Sequence, residues 1–342
     1  MRDATRQAAI RRPRVAVTIG DPAGVGPEIA LRLAARRRLS GVPILVGDAA
    51  VLHACGARLG LRVPGTTFAA VDVLECGLPA DLAGPAVVDC GAFEGRVVPG
   101  RVSARCGRAA YAYLATAIRG TQRGVFDAIA TAPLNKAALH AAGIREAGHA
   151  EILARACGVP RVAMMLYSEA LACVFVTCHV ALAQVARHLT PERIVWATGL
   201  LHAALARLRS RPPRLGMLAL NPHAGEAGAF GREEITTIAP AIAACRRRGW
   251  QVEGPLSPDA AFLPHVRVRF DGYVCQYHDQ GHIPFKLLAF DEGVNVTLGL
   301  PLVRTSVDHG TAFDIAWQGQ ARDTSLAAAL ALAVRLAGSR TG

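Results

Sequence analysis

Val15-Ala16-Val17-Thr18-Ile19-Gly20-Asp21-Pro22-Ala23-Gly24-Val25-Gly26-Pro27-Glu28 decides the fold class. Its first five residues form an apolar, β-branched run that reads as a buried strand. Glycines then permit a tight turn, Pro27 suits the first turn of a helix, and Glu28 suits the positive end of that helix. The same order of strand, loop and helix repeats outward along the chain. Strand-like runs at 43–46, 126–131, 172–177, 214–220, 272–277 and 294–298 alternate with alanine- and leucine-rich stretches that read as helices at 27–38, 103–120, 191–209 and 233–248. This alternation points to α/β architecture. The opening turn lacks the G-x-G-x-x-G dinucleotide fingerprint. As a bare strand-to-helix turn it is structural, although the carboxyl end of a strand is where open α/β sheets hold ligands.

A length of 342 residues suits two domains or two coupled lobes at roughly 100–200 residues each. Hydrophobic residues make up 52% against 19% charged, which excludes a disordered chain. No window reaches the roughly 18 apolar residues of a membrane span. Residues 1–13 hold no apolar stretch of signal-peptide length and are expected to be a short frayed leader of a soluble, cytoplasmic protein. Nine cysteines without a C-x-x-C pair give neither a disulfide framework nor a tetrathiolate zinc site, so buried free thiols are expected.

A net charge of +12 raises the question of an anionic partner. The charge is dispersed arginine, as at 36–38, 207–214 and 246–248, with five tyrosines and three tryptophans for base stacking. These runs read as solvated helix faces and ends, and no nucleic-acid partner is expected. Only Lys136 and Lys286 are lysines, and both fall inside polar motifs. A lysine among so many arginines marks a place for a compact point charge.

Histidines carry the most pointed chemical signal. His179, His223 and His278 each sit just past the end of a strand-like apolar run. Three neutral imidazoles converging on one sheet edge are a ligand set for Zn²⁺, Co²⁺, Mn²⁺ or Mg²⁺ with open positions for substrate. Chance placement among eleven histidines is the bland alternative. The densest polar stretch is Tyr277-His278-Asp279-Gln280-Gly281-His282-Ile283-Pro284-Phe285-Lys286. There Asp279 orients a ligand or accepts a proton, and Lys286 meets an anionic group, unless the stretch is a solvated loop with an ion pair. A last segment runs from Asn295 through Arg304-Thr305-Ser306-Val307-Asp308-His309-Gly310-Thr311-Ala312-Phe313-Asp314. Arg304 suits a phosphate or carboxylate, and the Gly-Thr turn exposes backbone donors to a nucleotide; a surface salt-bridge cluster is the alternative.

Together these blocks, with Thr131-Ala132-Pro133-Leu134-Asn135-Lys136, Gly148-His149-Ala150-Glu151 and Leu220-Asn221-Pro222-His223-Ala224-Gly225-Glu226, resemble the 4-hydroxythreonine-4-phosphate dehydrogenase family of vitamin B6 biosynthesis. The resemblance spans Val15 to about Ala321. It implies a two-lobed fold like the isopropylmalate and isocitrate dehydrogenases, with a cleft between the lobes. The expected lobes are 1–133 with 306–342 for the nucleotide, and 134–305 for metal and dimerisation. It also implies a homodimer with a shared active site, in which His179, His223 and His278 hold one divalent metal (zinc, magnesium, manganese or cobalt), the last from the other subunit. By the same resemblance, His149, Ala150, Lys286, Asn295 and Arg304 face a small phosphorylated substrate, and Gly310, Thr311, Ala312 and Asp314 bind NAD. NADP stays open, because no acidic ribose-reading residue is identifiable.

The implied reaction is oxidation of a metal-gripped hydroxyl, with Asp279 or Asp259 as base and Lys286 in the catalytic set, followed by decarboxylation of the β-keto acid. The first expected substrate is 4-phosphohydroxy-L-threonine. Ala150 stands where the biosynthetic enzymes usually carry threonine, and His282-Ile283-Pro284 where they usually show leucine-proline. Ala150 removes one hydroxyl donor from the expected substrate site, and the His282-Ile283-Pro284 variant resembles the 4-phospho-D-threonate and 4-phospho-D-erythronate dehydrogenases. Terephthalate dihydrodiol dehydrogenase is a further relative, disfavoured by Arg304.

Overall fold

Gly20 turns the chain at the end of the first strand with φ +67°, and a Cβ there would meet the Pro133 carbonyl oxygen at 2.3 Å. The backbone of the next parallel strand's exit therefore lies directly against this turn, a position only glycine fits. In this computed structural model, residues 11–146 and 148–338 are described, and the expected leader lies outside them up to residue 10.

The strands are β1 (Arg14–Thr18), β2 (Val42–Gly47), β3 (Thr67–Ala69), β4 (Ala86–Asp89), β5 (Ala128–Thr131), β6 (Ala163–Tyr167), β7 (Ala172–Phe175), β8 (Arg214–Leu218), β9 (Gln251–Leu256), β10 (Gly272–Cys275), β11 (Val294–Leu298) and β12 (Arg304–Val307). They form one sheet in the order β3-β4-β2-β1-β5-β12-β11-β6-β7-β10-β8-β9. The α/β class read from the sequence is what the chain adopts. From β3 to β12 all neighbours are parallel; β11 pairs antiparallel to β12 and to β6, and β6 antiparallel to β7. The run β7-β10-β8-β9 is parallel again. Counting these reversals, β7, β10, β8 and β9 run opposite to β1, β5 and β12. Strands covered on both faces need uninterrupted apolar sequence, and β1, β2 and β5 are buried at every residue.

Two helices end differently from the sequence expectation. The first spans Gly26–Ala34 and leaves the arginines at 36–38 outside, with Arg36 drawn into a two-pronged pair with Asp323 at 2.6 and 2.9 Å. The helix expected at 233–248 begins as a wide turn, Glu234–Ile238, and becomes α-helical only over Ala239–Arg247. Buried Glu234 explains the wide turn, since its carboxylate accepts from the Leu220 and Asn221 amides at 2.8 Å each. The polar stretch at 277–286, which carried no helical signal, forms the helix His278–Ala289 with Pro284 inside it. Five of the nine cysteines are buried and all nine are free thiols. No helix among the described residues is long and apolar enough to cross a membrane.

Candidate active site

β1, β5 and β12 end side by side at Thr18, Thr131 and Val307, and the opening glycine turn is joined there to the segment after β12. The Val25 amide donates to the Thr311 carbonyl at 3.0 Å, and the Trp317 indole donates to the Pro22 carbonyl at 3.2 Å. Gly24 has no Cβ because Thr311 occupies that space, at 3.0–3.3 Å. Glu28, fully buried, accepts from the Ala321 amide at 3.1 Å and pairs with Arg32. The first motif is thus structural in most of its atoms: it seats the turn Gly310-Thr311-Ala312, where Ala312 has φ +41°. Asp314 lies exposed at the end of that turn.

Beside it lies a sealed cationic group. Arg304 is 4% exposed. Its guanidinium donates to Thr131 Oγ1 at 2.7 Å, to Thr297 Oγ1 at 2.9 Å and to Asn295 Oδ1 at 3.5 Å, while its Nε is buried without a partner. All three acceptors are neutral, and no carboxylate among the described residues forms an ion pair with it. Burial pulls its pKa down to about 9, against a weak opposing pull from Glu151. His149, the first residue of the helix His149–Ala156, has Nε2 buried and unpartnered. Burial first, and then the charge of Arg304, hold its pKa well below the usual imidazole range, so the ring is neutral. Ala150 follows it, half-buried and without a hydroxyl. A buried cation with no counterion costs several kcal/mol, and a bound anion removes that cost. The arrangement can therefore accept an oxyanion.

The second group occupies the carboxyl ends of β7, β10 and β8, adjacent strands in the sheet. His179 and His223 are exposed and sit in left-handed backbone, with φ +45° and +49°. Left-handed geometry continues from His223 through Ala227, at φ values between +42° and +78°, one turn of left-handed helix that L-residues resist. Buried Glu234 holds the entry to this turn through the Leu220 and Asn221 amides and the Asn221 side chain. Strain of this kind gathers where function requires a fixed side-chain direction. His278 opens its helix, and its Nδ1 meets Asp279 Oδ1 at 2.6 Å. That pairing leaves Nε2 free, which is how carboxylates prepare metal-ligating histidines. The His282 ring stacks on His278 at 3.6 Å and 10°, and Phe175 lies 4.5 Å from the other neighbour's ring, His282.

His179 and His278 have ring centroids 6.0 Å apart. These two rings of one chain are close neighbours on the edge. A closed site is absent all the same: among the described residues no cluster of three donor side chains within one chain can hold an ion. Asp259, exposed, accepts from Ser257 Oγ at 2.5 Å; that hydrogen bond first, and the nearby charge of His223 to a smaller degree, hold its carboxyl below the ordinary range.

The structure therefore gathers the residues read from the sequence into two groups rather than one. Lys286 joins neither directly, because its ammonium pairs with Asp308 at 3.2 Å. It lies eight residues, about 12 Å, along the helix from His278. Sequence reading missed Thr297 and His282 as site residues. Thr297 is two residues from Asn295 on β11 and faces the same way, a period-two signal available in the sequence. His282 is one helical turn from His278, a relation hidden while the stretch lacked a helical reading.

Fold and site together define an α/β protein with a sealed anion cradle and an open edge of imidazoles. Residues 40–333 match the family described as pyridoxal phosphate biosynthetic protein PdxA. A 4-hydroxythreonine-4-phosphate dehydrogenase of Geobacter metallireducens is 44% identical over 330 residues, covering 95% of this chain and 96% of the relative. A D-threonate 4-phosphate dehydrogenase of Salmonella typhimurium is 41% identical, covering 94% and 98%. The crystal structure of 4-hydroxythreonine-4-phosphate dehydrogenase from Klebsiella pneumoniae matches with a TM-score of 0.84 at 40% identity, covering 96% of this chain and 99% of that one. The chain belongs to the PdxA family and is a dehydrogenase acting on a CH–OH group.

Proposed function

We propose that this dehydrogenase carries out NAD-dependent, divalent-metal-assisted oxidation and decarboxylation of 4-phosphohydroxy-L-threonine. The observation that carries the proposal is Arg304, a buried guanidinium whose only partners among the described residues are neutral oxygens. With His149, Asn295 and Thr131 it holds the substrate phosphate away from the reacting carbon, so that phosphate binding fixes orientation at the hydroxyl. His179 and His223, with His278 of a second copy, form the metal set. A divalent ion held there would lower the pKa of the substrate hydroxyl, and NAD or NADP held by the turn Gly310–Ala312 with Asp314 would supply the hydride acceptor. Asp279 keeps the His278 tautomer, and Asp259 beside His223 is the acceptor for the hydroxyl proton. Lys286 meets the substrate carboxylate and returns a proton to carbon after CO2 leaves.

Strand direction supports the sharing of the site between two copies. The imidazoles stand at the carboxyl ends of strands that run opposite to β5 and β12, whose ends carry the cradle and the nucleotide turn. Along the helix that begins at His278, Ile283, Leu287 and Phe290 are 60%, 82% and 69% exposed, an apolar stripe suited to a second copy. The sheet order also supports the lobes 1–133 with 306–342 and 134–305, since β12 and β11 adjoin at the junction. Free thiols suit a cytoplasmic location.

Ala150 and the His282 ring stacked on His278 favour a second reading, 4-phospho-D-threonate or its erythronate isomer, at the same site. The test is spectrophotometric NAD reduction with 4-phosphohydroxy-L-threonine, 4-phospho-D-threonate, 4-phospho-D-erythronate and a cyclic dihydrodiol, each with and without chelator. Chelator-sensitive turnover of the first supports the proposal. Preference for either phosphosugar acid moves the assignment to the second reading, and turnover of the diol alone, unaffected by Arg304→Gln, removes the phosphate cradle from the reaction.

A further inference from the structure

The arginine run at 207–214 has no part in the proposed chemistry; its Arg211 and Arg214 side chains stand half in solvent and Arg209 is half-buried beside them. A cavity of about 340 Å³ lies at the amino-terminal ends of β7, β10 and β8, the opposite ends of the strands that lead to the histidines. Arg209, Arg211, Arg214 and Arg267 line it around the carboxylate of Asp271. Asp271 is 6% exposed and already engaged: it accepts from Arg211 at 2.8 and 2.9 Å and from the Arg214 amide at 2.7 Å, with Arg209 Nη1 at 3.5 Å. Glu169, the other carboxylate on the wall, is paired with Arg335 and Tyr167. Three guanidiniums, those of Arg209, Arg211 and Arg214, thus gather on one committed carboxylate, while Arg267 donates to the Ala170 carbonyl at 2.6 Å. Arg209 Nε and Arg267 Nε are sealed from water with no acceptor.

Buried donors without partners and an excess of like charge both cost stability. An oxyanion carrying two or more charges relieves the second, its oxygens accepting from the Nη donors of the planar guanidinium forks. The volume lies near the lower end of the range of about 300–1,000 Å³ for small-molecule sites. It suits a phosphate or a small phosphorylated metabolite. We propose that this cavity is a second anion site, which binds the phosphate group of a small molecule independently of Arg304.

The test measures binding of inorganic phosphate, pyrophosphate and glycerol 3-phosphate to the full chain by titration calorimetry, in the Arg304→Gln background so that the first cradle is silent. One anion per chain is expected, and the arm that binds most tightly distinguishes free phosphate from an esterified one. Arg209→Gln and Arg267→Gln should each weaken binding about tenfold or more, as lost charge-assisted hydrogen bonds imply, with dehydrogenase activity of the otherwise native chain retained. If the glutamine pair fails to fold, Arg209→Lys with Arg267→Lys keeps the charge and removes the forks, and must still weaken binding. Unchanged phosphate affinity in either double variant overturns the proposal. So does a phosphate effect on melting temperature that sodium chloride of equal ionic strength reproduces, or a DNA duplex that displaces phosphate from the chain.

Discussion

The cradle around Arg304 and the imidazole edge at β7, β10 and β8 solve opposite problems. The cradle is complete within one chain, shut off from water, and its guanidinium is held by three neutral oxygens. The edge is exposed, backbone-strained at His179 and His223, and too sparse in one chain to enclose an ion. A phosphate far from the chemistry gains from a rigid, dry and preformed pocket, because the binding energy there orients the rest of the substrate. A metal with open positions must stay reachable by substrate. In the proposed dimer, completing it from another copy would make the assembled enzyme the competent form.

Removing the cradle's charge is the harshest way to break this comparison. Arg304→Gln should lower kcat/KM by on the order of 10²–10⁴-fold, since two or three hydrogen bonds to a charged group are lost. The variant should melt no lower than the parent, because an uncompensated buried charge goes with it. A drop in melting temperature with little change in KM would mean that Arg304 is a structural arginine. His278→Ala should be inactive for a different reason, and the two dead variants sharpen the contrast when mixed. In a two-fold dimer with His278 crossing over, a mixed pair has one site carrying both lesions and one intact site. Equal mixing after denaturation and refolding should therefore recover about a quarter of native activity, half of the pairs being mixed and half of their sites intact. A mixture that stays dead would confine each site to one chain.

A smaller effect concerns how the edge fixes its most guarded ligand. His278 is held from one side by Asp279 at 2.6 Å and from the other by the His282 ring at 3.6 Å. His282 in turn is anchored by its Nδ1 against the His278 carbonyl at 3.0 Å. His282→Ala should weaken metal binding about tenfold, in line with losses from orienting groups around metal sites. Calorimetric titration of Zn²⁺ or Mn²⁺ into the chelator-treated protein reads this directly. The KM for substrate at saturating metal should hardly move, since the phosphate is gripped elsewhere. Unchanged metal affinity would reduce the stack to packing.

How far the sequence revealed each region follows from the same contrast. The strands that carry the histidines were legible because buried parallel strands need unbroken apolar runs, and their ends fix where the imidazoles stand. Arg304 is expected from the sequence as an anion ligand, but its burial was not legible: four-residue β12 has no pattern that separates a solvent-facing arginine from a sealed one. The helix from His278 was hidden by Gly281 and Pro284, residues that weaken a helical reading. Packing on Phe175 and Cys275 explains Gly281, where a Cβ would stand 2.7 Å from both. The left-handed turn after Asn221 was invisible because it contains alanines and glutamate where glycines would be the signal, and tertiary contacts of Glu234 impose it.

That turn yields the mildest prediction and the cleanest measure of strain at the edge. Ala224 holds φ +53° although it touches neither ligand-bearing ring in the proposed chemistry. A left-handed conformation costs an L-residue roughly 1–2 kcal/mol, while glycine loses roughly 0.5–1 kcal/mol more chain freedom than alanine on folding. The difference favours glycine, so Ala224→Gly should stabilise the metal-free chain by about 0.5–1 kcal/mol in urea unfolding. The same exchange at Ala150, where the helix from His149 has ordinary backbone, should destabilise by a similar amount. If both glycines destabilise, the left-handed turn stores no strain, and the imidazole edge is as relaxed as the cradle it was contrasted with.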